Sequence, residues 1–179
     1  HKEVGNTAAL RLNGTNMSDT NTKWFDNTSP SSTTFTLGYT GGTNENNGNF
    51  IAYCFAPVEG YSSFGKYTGN GSVDGPFVYT GFRPRWIMTK SSSNSGTGWD
   101  WHVFDSARDT FNAMDKFLDP NAAQAEQTRS DNANFTDMDV DFLSNGFRLR
   151  NSYSSINHSG ATFVWVAFAE NPFKIARAR

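Results

Sequence analysis

The chain carries one apolar pattern twice: FIAYCFA at residues 50–56 returns as FVWVAFA at residues 163–169, an offset of 113. Upstream, FTLG at 35–38 lies over FRLR at 147–150, an offset of 112. Further back LRLNG at 10–14 lies more loosely over KFLDP at 116–120, and His1 falls near His102. The offset drifts by about a dozen residues on the way, which places insertions in loops. A period this long is no stacked solenoid and fits a duplicated β-module.

Within the repeated run the side chains alternate. Ile51, Tyr53 and Phe55 share one face, and Ala52, Cys54 and Ala56 the other; Val164, Val166 and Phe168 repeat the large face, Ala167 and Ala169 the small one. A period of two with small residues opposite large ones predicts a central strand, buried on both sides or closely overlaid on its small face. Further strands are expected at about 33–38, 63–68, 77–80, 84–90, 100–105, 140–143 and 146–151. Turn-rich stretches such as TGGTNENNGN, TGNGSVDGP and SSSNSGTG separate them. In DTFNAMDKF and the DPNAAQAEQTR that follows, Pro120 and the Ala/Gln/Glu run predict one or two short helical turns or an ordered loop.

The expected fold is all-β: an antiparallel, jelly-roll-like (lectin-like) sandwich with internal duplication. Residues 1–72 form a first, incomplete β-module and residues 73–179 a second, able to pack as one continuous sandwich. Residues 76–101 have no counterpart in the first copy. Either the chain begins partway through a repeat of a longer protein, or two half-units complete one another's sheets. The start at His1 without a Met favours the first.

Composition supports β-structure and excludes several classes. Sixteen Phe and 15% aromatic residues supply the apolar area that disordered chains lack. A net charge of −2 and no basic stripe leave no footprint for nucleic acid. No apolar stretch approaches the roughly 18–20 residues that span a bilayer, so no membrane insertion is expected. The single Cys54 cannot form an intramolecular disulfide and is expected to be a buried, inert thiol. Trp24 and Trp86 read as core residues.

Motifs for chemistry are scarce. His1, His102 and His158 have no metal-ligand spacing. DMDVD at 137–141 opens like a calcium loop, but Phe142 stands where Gly is needed and Arg148 where the bidentate Glu belongs. No Gly-x-Ser-x-Gly elbow and no phosphate loop occur. Glu59 and Glu170 sit at near-corresponding places after the two repeated runs, which argues for structure rather than for a facing carboxylate pair about 5–9.5 Å apart. Six Asn-x-Ser/Thr sequons, at Asn13, Asn16, Asn27, Asn70, Asn134 and Asn157, follow from a chain so rich in Asn, Ser and Thr. No enzyme activity, catalytic residue, metal or cofactor is expected.

Surface recognition is left. Trp99 and Trp101 flank Asp100 just after a Gly/Ser loop, and aromatic faces beside hydrogen-bonding groups are how carbohydrate is gripped. A ligand site is therefore expected at Trp99, Asp100, Trp101, Tyr153 and Asn157, in the 91–101 segment and the neighbouring NSYSSINHSG loop. The competing expectation is that at least one Trp of the pair packs in the core.

IAYCFAPVEGYSSFGKYTGNGSVDGPFVYTGFRPRWIMTK, then DFLSNGFRLRN and VAFAENPFKIARAR, resemble a repeated β-domain of virion structural proteins from marine and other tailed bacteriophages. The resemblance covers nearly the whole chain and carries no established binding residues; members of that group commonly have a further upstream portion. It implies a virion component on the particle exterior. The expected role is a tail-fibre or receptor-binding module recognising host cell-surface polysaccharide or another receptor, in contact with other virion proteins and self-associating as a trimer. The alternatives are a capsid decoration (cement) protein and a polysaccharide depolymerase.

Overall fold

The computed structural model describes residues 1–128 and 138–172. Its elements are β1 (Ala8–Ala9), β2 (Asp19–Thr20), α1 (Gly41–Asn44), β3 (Ser62–Thr68), β4 (Phe77–Tyr79), β5 (Pro84–Ser91), β6 (His102–Asp105), β7 (Val140–Leu143), β8 (Gly146–Leu149), α2 (Ser154–Asn157) and β9 (Thr162–Ala169). A four-stranded antiparallel sheet runs in the order β3-β9-β5-β6 and a three-stranded one in the order β4-β8-β7; β1 and β2 form a separate pair. The all-β antiparallel sandwich expected from the sequence is what the chain builds.

The two larger sheets share one core. Tyr67, Ile87, Phe104, Phe163, Trp165 and Ala167 from the first meet Val78, Val140, Phe142, Phe147 and Leu149 from the second. Period-two alternation explains the set: residues one apart along each strand point to opposite faces, so only every second side chain enters. β9 is the central strand its pattern predicted, with β3 on one side and β5 on the other. The faces differ from the expectation in one respect: the small side of β9 also carries Phe163 and Trp165, and it faces the core. Gly65, opposite Trp165, leaves room for its indole; a Cβ there would stand 2.6 Å from the ring.

The first copy of the repeat behaves differently. Residues 50–56 form no strand, and Ile51, Tyr53 and Phe55 are 82%, 82% and 67% exposed. The expected strand at 33–38 is also absent, and Cys54 is exposed rather than buried. A strand is a contract between neighbours: the run at 50–56 has the side chains of β9 without flanking edges equivalent to β3 and β5. β3, which precedes residue 72, pairs with β9 along its whole length, so residues on both sides of that position share one sheet. Trp24 and Trp86, expected in the core, are half-buried.

The turn between the two repeated runs is nevertheless duplicated in space. α1 at 41–44 and α2 at 154–157 are 113 residues apart. The Asn44 N–H donates to Thr40 O at 2.8 Å, as Asn157 N–H does to Tyr153 O at 2.8 Å. Gly48 N–H donates to Glu45 O at 3.0 Å, as Ala161 N–H does to His158 O at 3.1 Å. The Asn44 amide reaches Gly38 O as the Asn157 amide reaches Asn151 O. Asn47 and Gly160 both take the left-handed conformation, at φ 61° and 77°, a backbone that Asn tolerates and Gly adopts freely. The segment around 109–128 is an ordered loop, tied to the sheets by bridges such as Val103 with Leu118 and Met114 with Val140.

Candidate functional site

The loop 91–101 leaves β5 at a fully buried lysine. Lys90 lies on the side of its sheet away from the shared core, under residues near the N-terminus, where its ammonium donates to Thr15 O at 3.3 Å and Ser91 O at 2.9 Å. Burial lowers its pKa to about 8, and the Asp100 carboxylate partly opposes that. The folded state therefore binds fewer protons than the unfolded chain between pH 8 and 10.5, so this lysine adds stability as pH rises through that window. Denaturant titrations should show the wild type gaining on Lys90→Met from pH 8 to 9.5. Tyr67, whose pKa burial raises, lowers the stability of both proteins once unfolded tyrosine ionises and so cancels from their difference.

Beyond Lys90, an open groove of about 440 Å³ lies between the N-terminal segment and the loop, lined by Arg11, Asn16, Met17, Ser18, Asp19, Thr20 and Ser95. Ser18 holds the two walls together: its N–H and its hydroxyl both donate to Ser92 O, at 3.0 and 2.8 Å. Arg11 stands 3.8 Å from Asp19 and over the Trp24 ring. The groove offers a guanidinium, a carboxylate, hydroxyls and an amide around one methionine. It can donate to and accept from a polar, hydroxyl-rich ligand. No aromatic residue or motif in residues 11–20 signals it in the sequence.

The five residues expected to bind ligand separate into two groups. Trp99 is half-buried, packed on the core and edge-on to the exposed His158 at 5.6 Å. Asp100, half-buried, accepts from the Asn121 amide at 2.6 Å. Tyr153 is half-buried against the core; burial raises its pKa first, and Asp100 and Asp119 add to the rise. These three, with His158, form one surface.

Trp101 and Asn157 are enclosed instead. Trp101 is 7% exposed, and its indole N–H donates to Arg11 O at 2.9 Å, so it supports a wall of the groove from behind. Asn157 is fully buried: its Oδ1 accepts from Asn70 N–H at 2.8 Å and its amide donates to Asn70 Oδ1, Ser72 O and Asn151 O. It clamps α2 to the β3–β4 loop. Residues 99–101 precede β6 rather than lying on it, which is why the two Trp do not share a face.

His102 and Asp119 make a close buried polar pair, Nδ1 to Oδ1 at 2.7 Å, with Gln127 donating to the other carboxylate oxygen. Both side chains are almost wholly enclosed, so the pair ties β6 to the 117–127 loop rather than facing solvent. Among the described residues no three His, Cys, Asp or Glu side chains gather to hold a metal, and no helix is long and apolar enough to cross a membrane. Asp137 of the DMDVD run and Asn134 of the sequons lie outside the described residues.

The chain matches the family described as "Domain of unknown function (DUF7483)" over residues 1–172, and it belongs to that family. Neither curated proteins nor solved structures give a match.

Proposed function

We propose that this chain is a non-enzymatic module of a bacteriophage virion, on the particle exterior, that recognises host surface glycan as part of a tail fibre or receptor-binding protein. The observation that carries the binding half of this reading is the open polar groove at Arg11, Asn16–Thr20 and Ser95, one wall of which is the loop that also carries the half-exposed Trp99. A sugar needs hydroxyl partners beside an aromatic face, and the loop provides both within a short span. The phage half rests on the sequence resemblance. Self-association, as a trimer in a fibre, fits the exposed aromatic side chains outside residues 33–56, among them Phe77, Tyr79 and Phe111. A capsid decoration role is favoured instead by the apolar run at 50–56, which suits protein contact better than sugar.

Stacking on one aromatic face is worth only about 1–3 kcal/mol, by analogy with bases. Millimolar affinity per site is expected, raised by multivalency on a particle. Trp99→Ala should weaken binding to immobilised host polysaccharide about tenfold under conditions where the variant is folded, and should lower the melting temperature less than Trp101→Ala does, because Trp99 is only half-buried against the core. Trp101→Ala should lose about 3 kcal/mol of stability, because it empties a buried aromatic site. Release of reducing sugar by the wild type would favour a depolymerase, and absence of binding to any host polysaccharide would favour the capsid role.

A further inference from the structure

The described chain contains the second half of one sandwich unit twice and its first half once. β8, α2 and β9 belong to the complete unit, where β3 and β5 flank β9. Residues 33–56 repeat their sequence, and residues 38–48 repeat the main hydrogen bonds of their turn, yet 35–37 and 50–56 present their apolar residues to solvent.

The complete unit shows what is missing. Tyr67 Oη donates to Ile156 O at 2.7 Å, Gly69 N–H to Ala161 O at 2.9 Å and Gly71 N–H to Asn157 O at 2.8 Å, while Gly160 N–H donates to Gly69 O at 2.9 Å. Asn70 and Asn157 bond to each other reciprocally. All these partners come from Tyr67-Thr68-Gly69-Asn70-Gly71-Ser72, the turn that follows β3. The counterparts in the first copy are Thr43 O, Gly48 O, Asn44 O, Asn47 N–H and the Asn44 side chain. No such turn meets them among the described residues.

We propose that residues 33–56 are a docking face for a partner β-unit that supplies a β3-type strand, its Tyr-Thr-Gly-Asn-Gly-Ser turn and a β5-type strand. On docking, residues 50–56 become the central strand between them, and the partner turn closes on Asn44. A second folded copy of this chain is not the occupant. Its own β3 and β5 are each already paired with β9 along seven residues, so swapping one run for the other gains no ladder. The partner therefore carries an unfilled first half, and main-chain pairing gives it affinity while alternate side-chain pockets give it register.

The probe is a synthetic peptide of residues 57–92 of this chain, titrated into the intact protein with hydrogen exchange read by mass spectrometry. A one-to-one complex is expected, with amide exchange across 50–56 slowed at least tenfold. Ile51→Asp and Asn44→Ala, both at positions exposed in the free chain, should each weaken the complex at least tenfold while lowering the melting temperature by no more than about 4 °C. Three results would overturn the proposal. These are no protection of 50–56, binding indifferent to Ile51→Asp, or a concentration-dependent dimer that protects 50–56 without peptide.

Discussion

Replacing Asn157 by alanine should destabilise the chain by about 4 kcal/mol, whereas the same change at Asn44, its counterpart 113 residues earlier, should cost about 1 kcal/mol or less. Asn157 is fully buried and meets four groups: Asn70 N–H, Asn70 Oδ1, Ser72 O and Asn151 O. Truncation leaves several of these inside the protein with no partner, at about 1–3 kcal/mol for each unmet group. Network members fail together, since each bond orients the next. The Asn44 side chain is exposed and, among the described residues, donates to Gly38 O alone, where water replaces the lost bond. Urea unfolding of the two variants reads the difference directly. Equal costs would mean that the clamp on the β3–β4 loop contributes nothing.

Trp165→Ala should cost about 3–5 kcal/mol, the range for emptying a buried aromatic site. The indole is 4% exposed, lies over Gly65 and meets the Phe147 ring edge-on at 6.0 Å, so it joins the two sheets. Its N–H has no hydrogen-bond partner among the described residues. Trp165→Phe therefore removes an unsatisfied donor together with some volume, and should cost under about 1.5 kcal/mol. Thermal denaturation of the pair distinguishes packing from hydrogen bonding at this position. A Phe variant as weak as the Ala variant would show that the indole's full width is required.

The complete sandwich was legible because its strands advertise themselves locally. Alternation in SSFGKYT, FVY, VDFL and TFVWVAFA, bounded by Gly, Asn and Ser turns, placed β3, β4, β7 and β9 within a residue or two. The same logic failed at 50–56 for a physical reason. FIAYCFA carries the pattern of β9, but pairing depends on edges far away in sequence, and a strand's local pattern does not say whether those edges exist. Cys54 went wrong with its strand.

The site was legible in part. Trp99, Asp100 and Tyr153 do share a surface, as two neighbouring loops suggested. Asn157 sits in a Ser- and Asn-rich stretch that reads as solvated loop, yet its amide satisfies an interior turn. Composition cannot separate those uses. Trp101 differs from Trp99 only in which wall it meets, and the groove it supports is built from Arg11–Thr20, where nothing but polar residues and one Met mark the chain.

Amide hydrogen exchange of the free protein tests the central claim that the chain holds one finished sandwich and one unpaired half. Amides in β9 should exchange only through global unfolding, while those of 50–56 exchange close to the rate of an unstructured chain. Equal, strong protection of both runs in the monomer would contradict the account, because it would mean that FIAYCFA already lies within a sheet.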